Sequence, residues 1–212
     1  NPASSFYRRV ENARERFLTK DEINRLAMAL DADEDQRAAG IIRMCMLTGA
    51  RVGEVRQARF EQFNLDLGIW AKPASTTKQR KVHRVPISED VAAIVRQRKI
   101  VVPAGNPWLF PGEIPGQPVK EIRRFWRRIQ REAGIEDARI HDLRHTFASL
   151  LVSGGASLEM IGKLLGHTQM QTTQRYAHLL DAPLRAGLDA VADAVRPRLK
   201  VVHDMHDGQR SA

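Results

Sequence analysis

The chain has 212 residues, enough for one large domain or two small ones, and its 42% apolar content is ordinary for a soluble globular protein. No apolar run approaches the roughly 20 residues that span a bilayer, and residues 1–9 have no apolar signal core, so we expect an intracellular protein with no membrane partner. The single cysteine, Cys45, excludes an internal disulfide and any zinc site that needs two cysteines. The net charge of +9 indicates a polyanionic partner.

The first half of the chain is predicted to combine helices with short strands. Residues 1–18 are polar and irregular, as in a linker or arm. Thr19 and Glu22 form a capping box, which predicts a helix beginning there. Further helices are predicted at residues 36–47, where Cys45 joins an apolar run, and at 52–57. Strands are predicted at residues 60–63, 68–71 and 82–87, with a basic turn at 72–81 and a helix from Ser88 to about residue 99.

The second half of the chain is predicted to be almost entirely helical. A loop rich in proline and glycine, residues 103–118, surrounds a short predicted strand at residues 108–110. The tail after Pro197 is polar, and we expect it to be mobile. The whole pattern predicts an α+β fold that is mainly helical, with one small antiparallel β-sheet. Helices are predicted at residues 119–133, 142–153, 157–165, 171–178 and 183–195.

One predicted helix, at residues 119–133, has a strongly basic face. At 100° per residue, six cations lie on one side of this helix, and Phe125, Trp126 and Ile129 lie on the other. An ordinary solvated face mixes charges of both signs, but this sequence pattern places no acid among the cations. We therefore predict that the face contacts DNA phosphates and enters a groove. The six cations are Lys120, Arg123, Arg124, Arg127, Arg128 and Arg131.

A second basic cluster opens the helix predicted at residues 142–153. The spacing of His141, Arg144 and His145 places all three side chains on one helix face. Cations at a helix N-terminus oppose the helix dipole, so helix propensity alone would not favour them. A bound anion would explain them, because helix N-termini bind anions well.

Three further signals complete a pattern. Residues 48–54 read T-G-A-R-V-G-E, residues 165–167 read L-G-H, and Tyr176 follows His167 by nine residues. Lys78 lies in the basic turn, eight residues before Pro86. In this order and spacing the sequence resembles the tyrosine recombinase (phage integrase) family, from about residue 16 to residue 178. The resemblance implies the catalytic domain of an enzyme that cuts and rejoins DNA. The predicted catalytic residues are Arg51, Lys78, His141, Arg144, His167 and Tyr176.

The resemblance also implies a role for each residue. Tyr176 attacks the phosphodiester and forms a 3′-phosphotyrosyl bond, while Arg51 and Arg144 bind the non-bridging oxygens. His141 and His167 donate to the same oxygens or carry the tyrosine proton, and Lys78 protonates the leaving 5′-oxygen. Around the site, Glu54 and His145 are predicted as supporting residues, and Arg80 and Lys81 as DNA contacts. No cofactor or metal is expected, because cations replace a metal and no carboxylates cluster.

The predicted organisation has four parts: an arm (1–18), the catalytic domain (19–180), a C-terminal helix (181–196) and a mobile tail (197–212). The resemblance implies double-stranded DNA as partner, a tetramer on paired sites, a monomer when free, and exchange of the C-terminal helix with a neighbour. It also implies a cytoplasmic, nucleoid-associated protein encoded by a bacterium or phage. Three alternatives stay open at this point: a type IB topoisomerase, a non-catalytic DNA-binding regulator and a metal-dependent nuclease.

Overall fold

The computed structural model describes residues 16–75, 81–167, 169–181 and 183–193. The rest of the predicted arm, Lys78, Arg80 and the tail lie outside these residues. Within them, no helix is long and apolar enough to cross a membrane. The α-helices are α1 (Lys20–Ala32), α2 (Gln36–Thr48), α3 (Val52–Arg56), α4 (Glu89–Val101), α5 (Arg123–Glu132), α6 (Asp142–Ser153), α7 (Leu158–Leu165), α8 (Met170–Gln174) and α9 (183–193); the strands are β1 (Phe63–Asn64), β2 (Ile69–Lys72) and β3 (His83–Pro86).

Helix α1 begins where the capping box predicts. The Thr19 hydroxyl accepts from the Glu22 backbone N–H, and the Glu22 carboxylate accepts from the Thr19 N–H. Arg16 also donates to Glu22, and this bond lowers the pKa of Glu22 to about 2. Leu18 is buried, and its N–H donates to the Thr146 hydroxyl of α6 at 2.9 Å. Residues 16–18, which we predicted as the end of the arm, therefore pack against the domain.

The sheet is antiparallel and has the order β1-β2-β3. Trp70 on β2 is fully buried and pairs with Phe63 and Val85 on either side. The strand predicted at residues 60–63 is wrong for most of its length, because Phe60–Gln62 form a 3₁₀ turn and pairing begins at Phe63. The strand predicted around Trp108 is also wrong, since this residue forms only an isolated bridge to Arg59. The two segments are loops whose backbones bond to each other rather than to a strand. The Phe60 N–H, for example, donates to the Pro107 carbonyl.

Helix α5 has the predicted amphipathic character but begins later than predicted. Phe125, Trp126 and Ile129 are buried, and the arginines are exposed. The helix begins at Arg123, so the prediction that Lys120 belongs to it is wrong. The residues before it are held outside the helix, because Val119 N–H donates to the Phe110 carbonyl and Arg56 donates to the Val119 carbonyl at 3.3 Å.

The C-terminal part of the domain has its own small apolar cluster. Val152 from α6 and Leu165 from α7 pack there against Tyr176, which is 5% exposed. The helix predicted at residues 171–178 ends at Gln174, and a 3₁₀ turn follows at Ala177–Leu180. Here the backbone hydrogen bonds span three residues instead of the four of an α-helix, since Tyr176 N–H donates to the Thr173 carbonyl at 3.0 Å. This tightening directs the tyrosine into the apolar cluster.

Candidate active site

The end of α2 and the start of α6 bring two of the predicted motifs together. Gly49 ends α2 in the left-handed conformation, with φ of 61°. A side chain at this position would collide with Phe147 and Leu165, so glycine allows the close approach. Arg144, buried on α6, donates to the Gly49 carbonyl at 2.7 Å. Arg51 follows two residues after Gly49, at the N-cap of α3, and therefore lies beside Arg144.

Arg51 belongs to a short network of charges. Its Nη1 donates to Glu54 Oε1 at 2.9 Å, and the other carboxylate oxygen, Oε2, accepts from Lys72 Nζ at 3.1 Å. Burial alone would raise the pKa of Glu54, but Lys72 and Arg51 outweigh burial and hold that pKa below its usual value. The side chain of Arg51 is 33% exposed, so the guanidinium remains open to a ligand.

Arg144 is anchored to the L-G-H motif as well. Its Nη2 donates to the Leu165 carbonyl at 2.8 Å and to His167 Nε2 at 3.0 Å. Because Nε2 accepts, the proton of His167 is on Nδ1, which donates to the Thr173 hydroxyl at 2.9 Å. Three of the five N–H groups of Arg144 are thus committed to the protein, and its orientation is fixed.

Tyr176 is in direct contact with a histidine. Its hydroxyl lies 2.8 Å from His145 Nδ1, and the His145 ring meets the His141 ring edge to face, with centroids 5.1 Å apart. We predicted His145 as a supporting residue, but it is the histidine that contacts the predicted nucleophile. Helical spacing placed His145 on the correct face, yet it could not show how closely the tyrosine segment approaches.

The electrostatics of this cluster favour the binding of an anion. Burial, together with neighbouring charged groups, lowers the pKa values of His145 and His167 to about 4. Burial and the neighbouring Arg51 also lower the pKa of Arg144 to about 10. Burial raises the pKa of Tyr176, although Arg144 and Arg175 act in the opposite direction. Since like charges accumulate here, a phosphate would relieve their repulsion.

The structure joins most of the predicted site residues. Arg51 and Glu54 form one bonded group, Arg144 and His167 a second, and His145 with Tyr176 a third, with His141 against it. Lys78 and Arg80 lie outside the described residues, and Lys81 is exposed just before β3. Among the described residues, no cluster of three or more His, Cys, Asp and Glu is arranged to hold a metal ion.

Two residues of the site escaped sequence reasoning. Lys72 could have been found because it follows Trp70 by two residues, so strand alternation places it on the same buried face. Thr173 could have been found only as a hydroxyl three residues before Tyr176. His83 adds a link from β3, because its Nε2 lies 2.7 Å from the Lys163 carbonyl and its ring packs on Gly166.

The basic face of α5 is less uniform than the sequence predicts. Arg128 forms a two-pronged ion pair with buried Asp33, with one hydrogen bond of 3.1 Å, and also contacts Glu132. Arg123 lies 3.6 Å from Glu121. The prediction of a face without acids is therefore wrong, because Asp33 comes from the end of α1 and helical periodicity cannot reveal it. Among the described residues, the cations of α5 without an ion pair are Arg124, Arg127 and Arg131.

Similarity to characterised proteins agrees with this geometry. The chain is 31% identical over 184 residues to the tyrosine recombinase XerD of Pasteurella multocida, covering 80% of this chain and 60% of that protein. It is 34% identical over 184 residues to the integrase of Escherichia phage P2, covering 82% of this chain and 49% of that integrase. The chain thus spans about half to three fifths of these relatives.

Solved structures show the same fold. The catalytic domain of bacteriophage HP1 integrase superposes with a TM-score of 0.63 at 26% identity, covering 82% of this chain and 93% of that domain. The XerA recombinase superposes with a TM-score of 0.67 at 28% identity, covering 82% of this chain and 64% of that one. The phage integrase family matches residues 16–182, and the chain belongs to that family.

Proposed function

We propose that this chain is the catalytic domain of a site-specific DNA recombinase or integrase, which cleaves and rejoins strands through a 3′-phosphotyrosyl intermediate. One observation supports this most directly: the Tyr176 hydroxyl lies 2.8 Å from His145, and the positive charges of Arg144 and Arg175 act on both side chains. A tyrosine that only packs in a core needs no such surroundings. The named relatives are recombinases and integrases, which agrees with the proposal.

In the proposed reaction the Tyr176 oxygen attacks the phosphorus as the bond to the 5′-oxygen breaks. The phenol proton passes to His145, which is neutral near pH 7 because its pKa is about 4. Binding of the phosphate anion would raise that pKa and make His145 a better base. This assignment replaces His141 and His167 as first acceptor of the tyrosine proton, because His145 holds the hydrogen bond.

Arg51 and Arg144 stabilise the negative charge that develops on the non-bridging oxygens. Guanidinium groups suit this role because their N–H groups match phosphate oxygens. Lys78 delivers a proton to the leaving 5′-oxygen. Attack by a 5′-hydroxyl on the phosphotyrosine then reverses the sequence, and the energy of the broken bond is conserved, so rejoining needs no ATP. We propose no metal or cofactor.

We further propose double-stranded DNA as the partner, contacted by α5 and by Arg80 and Lys81. The protein is monomeric when free and forms a tetramer on paired sites. It acts in the cytoplasm on bacterial or phage DNA.

The deciding experiment traps the covalent adduct. A nicked suicide DNA substrate, which loses a short fragment after cleavage, should leave the domain attached to DNA in excess EDTA. Mass spectrometry should place the attachment at Tyr176. Tyr176→Phe should abolish the adduct while DNA affinity stays within about twofold, because one hydroxyl contributes little to a phosphate-dominated interface. An adduct that persists in Tyr176→Phe would refute the assignment.

A further inference from the structure

Lys72 is a buried charge to which the proposed reaction gives no task. It is the last residue of β2 and is 1% exposed, although lysine is almost never fully buried unless it is paired. Its partner is the Glu54 carboxylate, whose other oxygen accepts from Arg51. The Glu54 carboxylate thus lies between two cations, the buried Lys72 and the partly exposed Arg51.

The arrangement of these three charges determines how much positive charge and how many N–H groups Arg51 presents to a phosphate. Glu54 alone would neutralise Arg51, whereas the trio with Lys72 has a formal charge of +1. Lys72 also bonds to the second oxygen of Glu54, and the Arg51 guanidinium bonds only to the first. A forked Arg–carboxylate pair would consume two guanidinium N–H groups, whereas the observed bond consumes one.

Because Lys72 is buried, its ammonium group does not contact DNA directly. Its ammonium is enclosed at the end of β2, while the Arg51 side chain is 33% exposed. Burial lowers the pKa of Lys72, and Glu54 opposes that change. A buried ion pair is poor evidence for stability, because an apolar pair of similar size often stabilises a fold as well. A role in the site explains the pair better than a role in the core.

We propose that Lys72 is a positioning residue for Arg51, acting through Glu54 to keep the guanidinium singly bonded and positively charged towards the phosphate. This inference rests on the proposed function, in which Arg51 stabilises the transition state. Lys72 would therefore contribute to the rate of cleavage without touching DNA.

The test compares single-turnover cleavage of the nicked substrate by variants of the whole chain. Lys72→Met should slow cleavage about 10-fold or more, as loss of transition-state charge stabilisation does. DNA affinity should stay within about twofold. The double variant Lys72→Met/Glu54→Gln should recover much of the rate, because a neutral amide accepts from Arg51 without cancelling its charge. Lys99→Met removes an exposed lysine outside the site and should cleave like the wild type.

A leaving-group role for Lys72 gives a different result. A substrate with a 5′-bridging sulfur needs no proton donor on departure. If that substrate restored the rate of Lys72→Met, Lys72 would act on the leaving group, and the proposal would be overturned. Wild-type cleavage by Lys72→Met would overturn it as well.

A measurement without DNA separates this inference from the proposed function. Arginine side-chain NMR of the free chain should show that the Arg51 Nε–H resonance shifts in Lys72→Met and not in Lys99→Met. A protein that never cleaves DNA would contradict the proposed function, yet the Arg51 resonance would still decide the positioning role. Lys72→Gln keeps a hydrogen bond to Glu54 without the charge, and it provides the same comparisons if Lys72→Met does not fold.

Discussion

The Arg144 guanidinium and the Thr173 hydroxyl together determine which nitrogen of His167 carries the proton. Arg144 presents an N–H to Nε2, so Nδ1 must be the protonated nitrogen, and Thr173 accepts from it. Thr173 is 1% exposed and precedes Tyr176 by only three residues. The segment that carries Tyr176, the proposed nucleophile, is therefore bonded to the histidine that contacts Arg144. A displacement of the tyrosine segment would disturb both the bond from His167 to Thr173 and the bond from Arg144 to His167.

Replacement of Thr173 should slow cleavage through His167. In Thr173→Val the Nδ1 proton loses its acceptor, and the tautomer with a proton on Nε2, which faces the Arg144 N–H, becomes populated. We expect cleavage about 10-fold slower with unchanged DNA affinity, whereas Thr173→Ser should retain most of the rate. Ring ¹⁵N shifts of His167 report the tautomer directly. Identical shifts and rates in Thr173→Val and wild type would show that Thr173 only packs.

The histidines also predict how stability depends on pH. The pKa values of His145 and His167 are lowered to about 4, and those of His83 and His141 are lowered too, with burial as the first cause each time. Below their ordinary pKa of about 6.5, the unfolded chain binds protons that the folded chain refuses. Stability should therefore be highest above about pH 6.5 and fall as the pH approaches 4.

Urea unfolding at pH 7 and pH 5 measures this effect. The midpoint should be lower at pH 5, and His145→Gln/His167→Gln should reduce the difference between the two midpoints. Glu22 does not explain such a loss, because its pKa is about 2 and its stabilising bond persists at pH 5. Equal midpoints at the two pH values would mean that these histidines titrate normally.

Single residues show where sequence reasoning succeeds and where it stops. Arg51, Arg144 and His167 could be recognised because their motifs have fixed spacing, and the structure brings them together. His145 and Lys72 were undervalued because their significance depends on contacts between segments far apart in sequence. Helical periodicity reveals a face, but it does not reveal what packs against that face.

At the scale of elements, local signals predicted the helices well. The bounds predicted for α6, residues 142–153, match those observed, and the cap predicted at Ser88 for α4 is present. Weak strand patterns failed at residues 60–63 and 108–110, where loops bond to each other across the fold. Sheet pairing is non-local, so a short window cannot determine it.

The exposed cations of α5 should differ in role. Arg124 has no ion pair among the described residues, whereas Arg128 holds buried Asp33. Arg124→Glu should weaken DNA binding and flatten its salt dependence by about 0.9 per lost phosphate contact, without changing the unfolding temperature. Arg128→Glu should lower that temperature, because Asp33 would face a carboxylate. Fluorescence anisotropy at several salt concentrations and thermal unfolding measure the two effects. If Arg124→Glu binds like wild type at every salt concentration, the DNA surface lies elsewhere.

At the scale of the whole molecule, helix α9 presents an apolar stripe that the other described residues leave exposed. Leu184, Leu188 and Val191 are each more than 60% exposed, at 62%, 69% and 61%. Their spacing places them on one side of the helix. An amphipathic helix normally buries this side, and we propose that α9 docks on a neighbouring protomer on DNA. The helix follows Tyr176 closely, and docking would couple the position of the tyrosine to the neighbour.

Deletion of everything after Leu180 tests this coupling. The apolar stripe makes few contacts within its own domain, so the truncated chain should unfold at nearly the same temperature as the full chain. Assembly on DNA with paired sites, measured by mobility shift, should fall sharply while binding to a single site is retained. Leu188→Glu, which charges the stripe without shortening the chain, should reproduce the loss, and Arg185→Glu, on the same helix, provides a matched control. If the deletion instead unfolds the domain and crosslinks form only within one chain, α9 packs on its own domain and exchange does not occur.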